Sequence, residues 1–222
     1  MRMAPEGRPF IAVGWSLTAL AAWATWRWGA AWAAVSVVLG ILSVWLLVFF
    51  RDPARDGPRG DAVVIAPADG KIVSVVETDE PMYLKGRALR VSIFMSVFDV
   101  HVNRYPVSGT IELAHYNPGK FLHAAREKAS LDNEQASIGL RGPRGRVLVR
   151  QIAGSVARRI VTDGRPGARA AQGARLGLIR FGSRTDIFLP LSARVALKVK
   201  PGDRVRVGGS VLAEYPRPEG VP

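Results

Sequence analysis

The chain has 222 residues, with 31 Lys and Arg against 18 Asp and Glu, a formal net charge of +13 and no cysteine. That length accommodates one globular domain and a smaller appendage, and the missing cysteines exclude a disulfide framework, a thiolate nucleophile and a cysteine metal site. Three histidines, His101, His115 and His123, leave little for a histidine metal cluster, and the surplus positive charge selects a polyanionic partner, nucleic acid or anionic lipid.

All six tryptophans fall between Trp15 and Trp45 in a stretch almost free of charge. Phe10–Trp26 is one apolar run and Gly29–Phe50 a second, with Arg27 between them. At about 1.5 Å per helical residue each run crosses or nearly crosses a hydrocarbon core of about 30 Å. No small-residue cleavage site follows the first run, so the pair predicts a two-helix membrane hairpin over residues 1–50 rather than a signal peptide. The clustered tryptophans suit membrane interfaces. Arg2 and Arg8 precede the first run, and Arg51, Arg55 and Arg59 follow the second. The positive-inside tendency therefore puts both ends on the cytoplasmic side of the cell (inner) membrane, facing an anionic leaflet. Nucleic acid falls behind, because the rest of the chain has no tryptophan and no base-reading motif.

RDPARDGPRGD (51–61) reads as a polar linker, and 62–222 as the main domain. There, VVIAPADGKIVSVVE predicts strand, turn at Asp69-Gly70, strand. ALRVSIFMSVFDVHVNR is β-rich, and RVLVRQIAG is another short strand. PGKFLHAAREKAS alone offers a modest helix, and Gly164–Gly173 reads as a loop. In ARVALKVKPGDRVRVGGSVLAEY, Val195, Leu197 and Val199 alternate with polar residues before a turn at Pro201-Gly202-Asp203. The prediction is a mainly β domain, a compact sandwich or barrel, whose VKPGDRVRVGGSVLA stretch looks like the closing hairpin of a lipoyl/biotinyl-carrier-like barrel.

Four stretches carry chemistry: FFRDPAR (49–55), APADGKI (66–72), MSVFDVHVNRYPVSG (95–109) and RFGSR (180–184). Each alone is ordinary, since PADG is usually a hairpin turn and Gly-Ser a loop. In this order, behind a membrane anchor, they closely resemble the phosphatidylserine decarboxylase family in its short bacterial and archaeal-type form. The resemblance runs from about Phe49 to the C-terminus, and QIAGSVARRIV (151–161) and LDNEQASIG (131–139) fit the short form as well, the role of the latter being open.

The resemblance makes 62–222 the catalytic domain and implies a proenzyme that cuts itself before the serine of a Gly-Ser bond, here Gly182–Ser183. A large chain (1–182) and a small chain (183–222) would then form a heterodimer, a higher oligomer staying open. It also implies that Ser183 becomes a pyruvoyl group, with no metal and no pyridoxal phosphate, and that the substrate is phosphatidylserine in the membrane. Glycine at 182 leaves room for attack by the Ser183 hydroxyl on the preceding carbonyl. The self-cleavage needs a base for the hydroxyl proton and donors for the developing oxyanion.

His101 is the candidate acid/base, its ordinary pKa suiting proton transfer near neutrality. Asp69 is the family-matched acidic partner. Asp99 lies two residues before His101, on the same side of a regular strand, and is either a second catalytic carboxylate or a structural one. Many longer members carry a second histidine three positions after the first, where this chain has Arg104, so the division of roles stays open. His115 and His123 read as ordinary structural or surface residues. Arg104, Arg180 and Arg184 are candidate clamps for the anionic headgroup, although a solvated basic face predicts the same residues. Two other readings remain: a decarboxylase of an ether-linked serine phospholipid, and a non-catalytic membrane-anchored lipoyl-like carrier, against which Lys71 stands because it does not occupy a carrier's hairpin tip.

Overall fold

A computed structural model describes residues 2–119, 133–154, 159–180 and 183–216. It divides into two compact units, up to Ala54 and from Arg55 onward.

In the first unit β1 (Arg2–Met3) pairs with β2 (Arg51–Asp52) around two helices, α1 (Arg8–Trp28) and α2 (Ala33–Phe49). Pro9 suits the first turn of α1, where its missing N–H leaves no bond unmade. Gly29, at φ 96°, ends the helix in a conformation that side chains avoid. Hydroxyl pairs bridge the helices, Thr18 to Ser43 at 3.0 Å and Thr25 to Ser36 at 2.8 Å. Ala30–Phe49, with a mean hydropathy of 2.4, is long and apolar enough to cross a membrane. α1, with Arg8 and Arg27 near its ends, is the less apolar of the pair.

The second unit is almost entirely antiparallel sheet. Its strands are β3 (Val63–Ile65), β4 (Gly70–Glu80), β5 (Gly86–Met95), β6 (Val102–Arg104), β7 (Gly109–Asn117), β8 (Gln135–Gly142) and β9 (Gly145–Ala153). There follow β10 (Ile160–Thr162), β11 (Arg169–Ala170), β12 (Arg175–Ile179), β13 (Ser183–Pro190), β14 (Ala196–Leu197), β15 (Arg204–Val205) and β16 (Val211–Glu214). One large sheet runs β11-β7-β8-β9-β13-β5-β4-β15; two small ones, β10-β12-β6 and β14-β16-β3, complete the domain. Alternate residues of the large sheet, among them Val91, Ile93 and Met95, Val147, Val149 and Ala153, and Ile187 and Leu189, share one core with Ile160, Leu176, Ile179, Val64 and Leu212 of the small sheets. The large sheet thus curls into a half-barrel around this core, which is the compact β architecture expected from the strand pattern.

The PADG turn follows the expected course. Gly70 has φ 146°, and a Cβ there would lie 2.1 Å from the Phe94 carbonyl oxygen, so only glycine fits. The C-terminal stretch departs from a simple hairpin. β14 pairs not with the next strand but with β16, and between them β15 crosses to the large sheet, with Arg204 opposite Lys71. The segment 164–173, expected as a loop, contains the short strand β11 paired with the start of β7. The helix expected over 118–130 lies almost wholly outside the described residues.

Candidate active site

β5 ends at Met95, β9 ends at Ala153 and β13 begins at Ser183, and these three residues stand side by side in register. Strand alternation turns Ser183, Thr185, Ile187 and Leu189 to the concave core and Arg184, Asp186 and Phe188 to the other face. Ser183 is fully buried, and its Oγ has no hydrogen-bond partner among the described residues. A buried hydroxyl without a partner is destabilising by about 1–3 kcal/mol, so its persistence asks for a chemical reason. Gly182, and with it the Gly182–Ser183 bond, lies outside the described residues.

His101, also fully buried, precedes β6. Its Nδ1 lies 2.9 Å from the main-chain oxygen of Asp99. A carbonyl can only accept, so Nδ1 carries the proton and Nε2 is the basic nitrogen of the neutral ring. Its own carbonyl accepts from Ile179 N–H at 3.4 Å. Ile179 ends β12, two residues before the segment that leads into Ser183, so His101 and Ser183 flank the same stretch of chain.

Asp99 does not share a strand with His101. The segment 96–99 is a turn in which the Asp99 carboxylate accepts from Ser96 N–H at 2.8 Å and from Ser96 Oγ at 2.7 Å. β6 begins only at Val102. A short polar side chain that bonds its own backbone a few residues back closes turns and breaks strands. Asp99 therefore orients His101 through its main-chain carbonyl, while its carboxylate holds the turn and meets Arg204 at 3.5 Å.

Asp69, nearly buried, accepts from Val207 N–H at 2.6 Å and from Arg55 at 3.1 Å. Its segment is tied to the His101 strand through Pro67, whose carbonyl accepts from Arg104 N–H at 3.0 Å and from the Asn103 amide at 3.3 Å.

Sequence comparisons show the family. The model of the phosphatidylserine decarboxylase family matches residues 42–213. The chain is 47% identical over 216 residues to a phosphatidylserine decarboxylase proenzyme of Symbiobacterium thermophilum, covering 97% of this chain and 96% of that one. Similar proenzymes of Salinibacter ruber, 47% identical over 91% of this chain and 89% of theirs, and of Nitrosomonas europaea, 44% identical over 96% and 95%, agree with it. The chain belongs to the phosphatidylserine decarboxylase family.

Within this decarboxylase, the three candidate arginines take different positions. The Arg104 guanidinium donates to the Gly173 carbonyl at 3.0 Å. Arg104 pairs with Arg175, whereas His101 meets Ile179; four residues along β12 separate them, on the order of 10 Å. Arg184 points away from Ser183 and forms a bidentate pair with Asp186 at 2.6 and 2.9 Å, with Ser92 Oγ accepting at 2.8 Å. Arg180 follows β12, its N–H bonded to the Arg159 carbonyl, two residues before Gly182.

A polar chain that sequence reasoning missed crosses the interior beside Ser183. Thr162 donates to Gln151 at 3.0 Å, Gln151 to Asn103 at 2.7 Å, and Asn103 to Pro67. Gln151 stands opposite Thr185, whose buried hydroxyl, like that of Ser183, has no partner among the described residues. Asn133 donates to the Ala153 carbonyl at 2.6 Å and so clamps the end of β9 beside Ser183. The signal was present. Gln151 interrupts the inward series Val147, Val149, Ala153, and a polar residue on a core face calls for a partner. The sequence did not identify that partner, because Asn103 is 48 positions away.

Among the described residues no group of three or more His, Cys, Asp or Glu is placed to hold a metal ion. Burial raises the pKa of Tyr105, with Asp163 adding to it, and pushes Tyr215 up to about 12. Tyr83 is raised by burial and by its hydrogen bond to Glu112.

Proposed function

We propose that the chain is a self-cleaving proenzyme in which Ser183 becomes a pyruvoyl group, and that the mature enzyme decarboxylates phosphatidylserine to phosphatidylethanolamine. The observation that carries this reading is the buried Ser183 Oγ, without a partner among the described residues, at the first position of a central strand and immediately after the Gly182–Ser183 bond. His101 Nε2 takes the Ser183 hydroxyl proton. Oγ then attacks the Gly182 carbonyl, and the amide becomes an ester as the nitrogen of residue 183 leaves. Elimination returns Gly182 as a free carboxylate and makes residue 183 dehydroalanine, which water converts to pyruvoyl with release of ammonia. Bound at this position, a pyruvoyl ketone supplies an electron sink for the substrate amine, so that CO₂ can leave.

The site fits such a group. The Ser183 side chain is already desolvated, stands between Met95 and Ala153, and has no hydrogen bond to the described residues that its conversion would break. His101 is held in one tautomer and is then available to return a proton to the substrate carbon. Asp69 fixes the 66–69 and 207 segments around it. After cleavage the small chain stays attached, because β13 lies between β9 and β5, and β15 and β16 pair with β4 and β3. An apolar N-terminal helix anchors the enzyme to the membrane that contains its substrate, with the catalytic domain on the cytoplasmic side.

The test is reductive trapping. Wild-type enzyme incubated with phosphatidylserine and cyanoborohydride gains one covalent adduct, on the 183–222 chain. An adduct on a lysine of the 1–182 chain overturns the reading.

A further inference from the structure

A cavity of about 240 Å³ opens on the concave side of the large sheet, between β7, β8 and β10. Ala136, Ile160 and Thr162 line its depth, and Ala114, His115 and Tyr116 line its mouth. We infer that this cavity holds the glycerol and first acyl carbons of the phospholipid whose serine headgroup reaches residue 183. The inference rests on the function proposed above and adds the place where the lipid backbone sits.

Two rows of residues lead from the cavity to the site. Across the large sheet Ala136 stands opposite Gln151, and Gln151 opposite Thr185, two residues from Ser183 on the same face. Across the small sheet Ile160 stands opposite Ile179, whose N–H bonds the His101 carbonyl. Each row spans two strand spacings, roughly 10 Å at about 4.8 Å per strand, one ending at Thr185 and the other at His101, so Ser183 lies roughly 12 Å from Ala136. The bonds from the serine nitrogen of the lipid to its central glycerol carbon extend to roughly 9 Å at standard bond lengths. A headgroup with its amine at residue 183 therefore brings its glycerol toward the cavity wall, and the first acyl carbons cover the remaining few ångströms.

The chemistry of the lining agrees. Ala136 and Ile160 suit glycerol and acyl carbons. Ala114 and Tyr116, which stand opposite Ile138 and Ala136, share the concave face with them and frame the mouth. Thr162 joins the cavity wall to the Gln151–Asn103 chain, so the wall nearest the site is fixed by hydrogen bonds rather than by packing alone. The mouth is accessible from outside, because β7 meets β11 only at Gly109 and Thr110, and residues 114–117 are exposed.

The test pairs a kinetic and a chemical readout on the full chain in detergent. Ala114→Trp narrows the mouth from an exposed position, where the folding penalty is small. It lowers kcat/KM for diacyl phosphatidylserine about tenfold, mostly through KM, and leaves the phosphodiester of serine and methanol within about twofold of wild type. Equal losses on both substrates, or on neither, overturn the inference. In the second readout, wild-type enzyme is trapped by cyanoborohydride with a phosphatidylserine that carries a diazirine at the start of its acyl chain, and is then irradiated. Crosslinks in 114–116, 136–138 or 160–164 support the cavity, and crosslinks elsewhere overturn it while leaving the catalytic reading intact. Failure to form any trapped adduct on the small chain overturns both.

Discussion

The two faces of β13 handle buried polarity in opposite ways. On the outer face Arg184 and Asp186, both almost fully buried, satisfy each other at 2.6 Å and bring in Ser92. On the inner face Ser183 and Thr185 are as deeply buried, yet neither hydroxyl has a partner among the described residues. Adjacent residues on one strand thus divide into a set whose polar groups are closed off and a set left open. A closed pair stabilises and orients the strand; an open hydroxyl is free to react. The same contrast holds around His101, where Asp99 closes its own turn and offers only a carbonyl to the ring.

The contrast is most severely tested at the open face. His101→Gln keeps the size of the side chain and a hydrogen bond toward Asp99 but removes the base. Self-cleavage, followed by pulse-chase, slows about 10²- to 10⁴-fold while the fold persists. Unchanged cleavage would assign the proton transfer elsewhere. On the closed face, Asp186→Ala removes the carboxylate that the buried Arg184 guanidinium bonds through two nitrogens, a loss of about 3–5 kcal/mol. Thermal unfolding of the full chain in detergent detects this, and the double variant Arg184→Met/Asp186→Leu recovers most of the loss. If the single and double variants are equally unstable, the outer face is held by something other than this ion pair.

Thr185→Val sharpens the comparison on a smaller scale. Replacing an unsatisfied buried hydroxyl with a methyl of the same shape removes a penalty of about 1 kcal/mol or more, so the melting temperature holds or rises. A clear fall would mean that the hydroxyl has a partner. The smallest effect lies at high pH and involves both sides of the large sheet: Tyr83 in the outer cluster and Tyr105 and Tyr215 in the inner core. All three phenols are raised by burial. Below pH of about 10 the folded and unfolded chains are equally protonated. Above it the unfolded chain loses its protons first, so stability falls as pH rises toward the folded values. Melting temperatures between pH 8 and 11 should decline, and Tyr215→Phe should flatten the decline.

Much of this was legible in the sequence. Alternation marked the strands of the half-barrel, Gly70 marked the tight PADG turn, and the apolar runs marked α1 and α2. The Gly182–Ser183 pair and His101 stood out only through the order of four motifs that resembles the phosphatidylserine decarboxylase family, since each is ordinary by residue type. What was not legible depends on distant pairing. Nothing local assigns Gln151 to Asn103, or turns Arg184 away from Ser183, because strand register decides which side each residue takes. The Ser96–Asp99 turn was hidden inside a β-rich run, where two-residue spacing predicted a shared face until the Asp99 side chain bonded back to Ser96. β15 was read as one arm of a hairpin because its partner, β4, lies more than a hundred residues away.

The central claim is that Ser183 is the precursor of the catalytic group. The most direct measurement is the intact mass of the purified full chain, wild type beside Ser183→Ala, with Edman sequencing of any small chain. Wild type yields two chains, 1–182 and 183–222, the smaller blocked to Edman degradation because a pyruvoyl group has no amine. Ser183→Ala yields a single uncut, inactive but folded chain. A wild-type enzyme that is active as one intact 24.0 kDa chain, or a Ser183→Ala chain that decarboxylates phosphatidylserine normally, would contradict the claim.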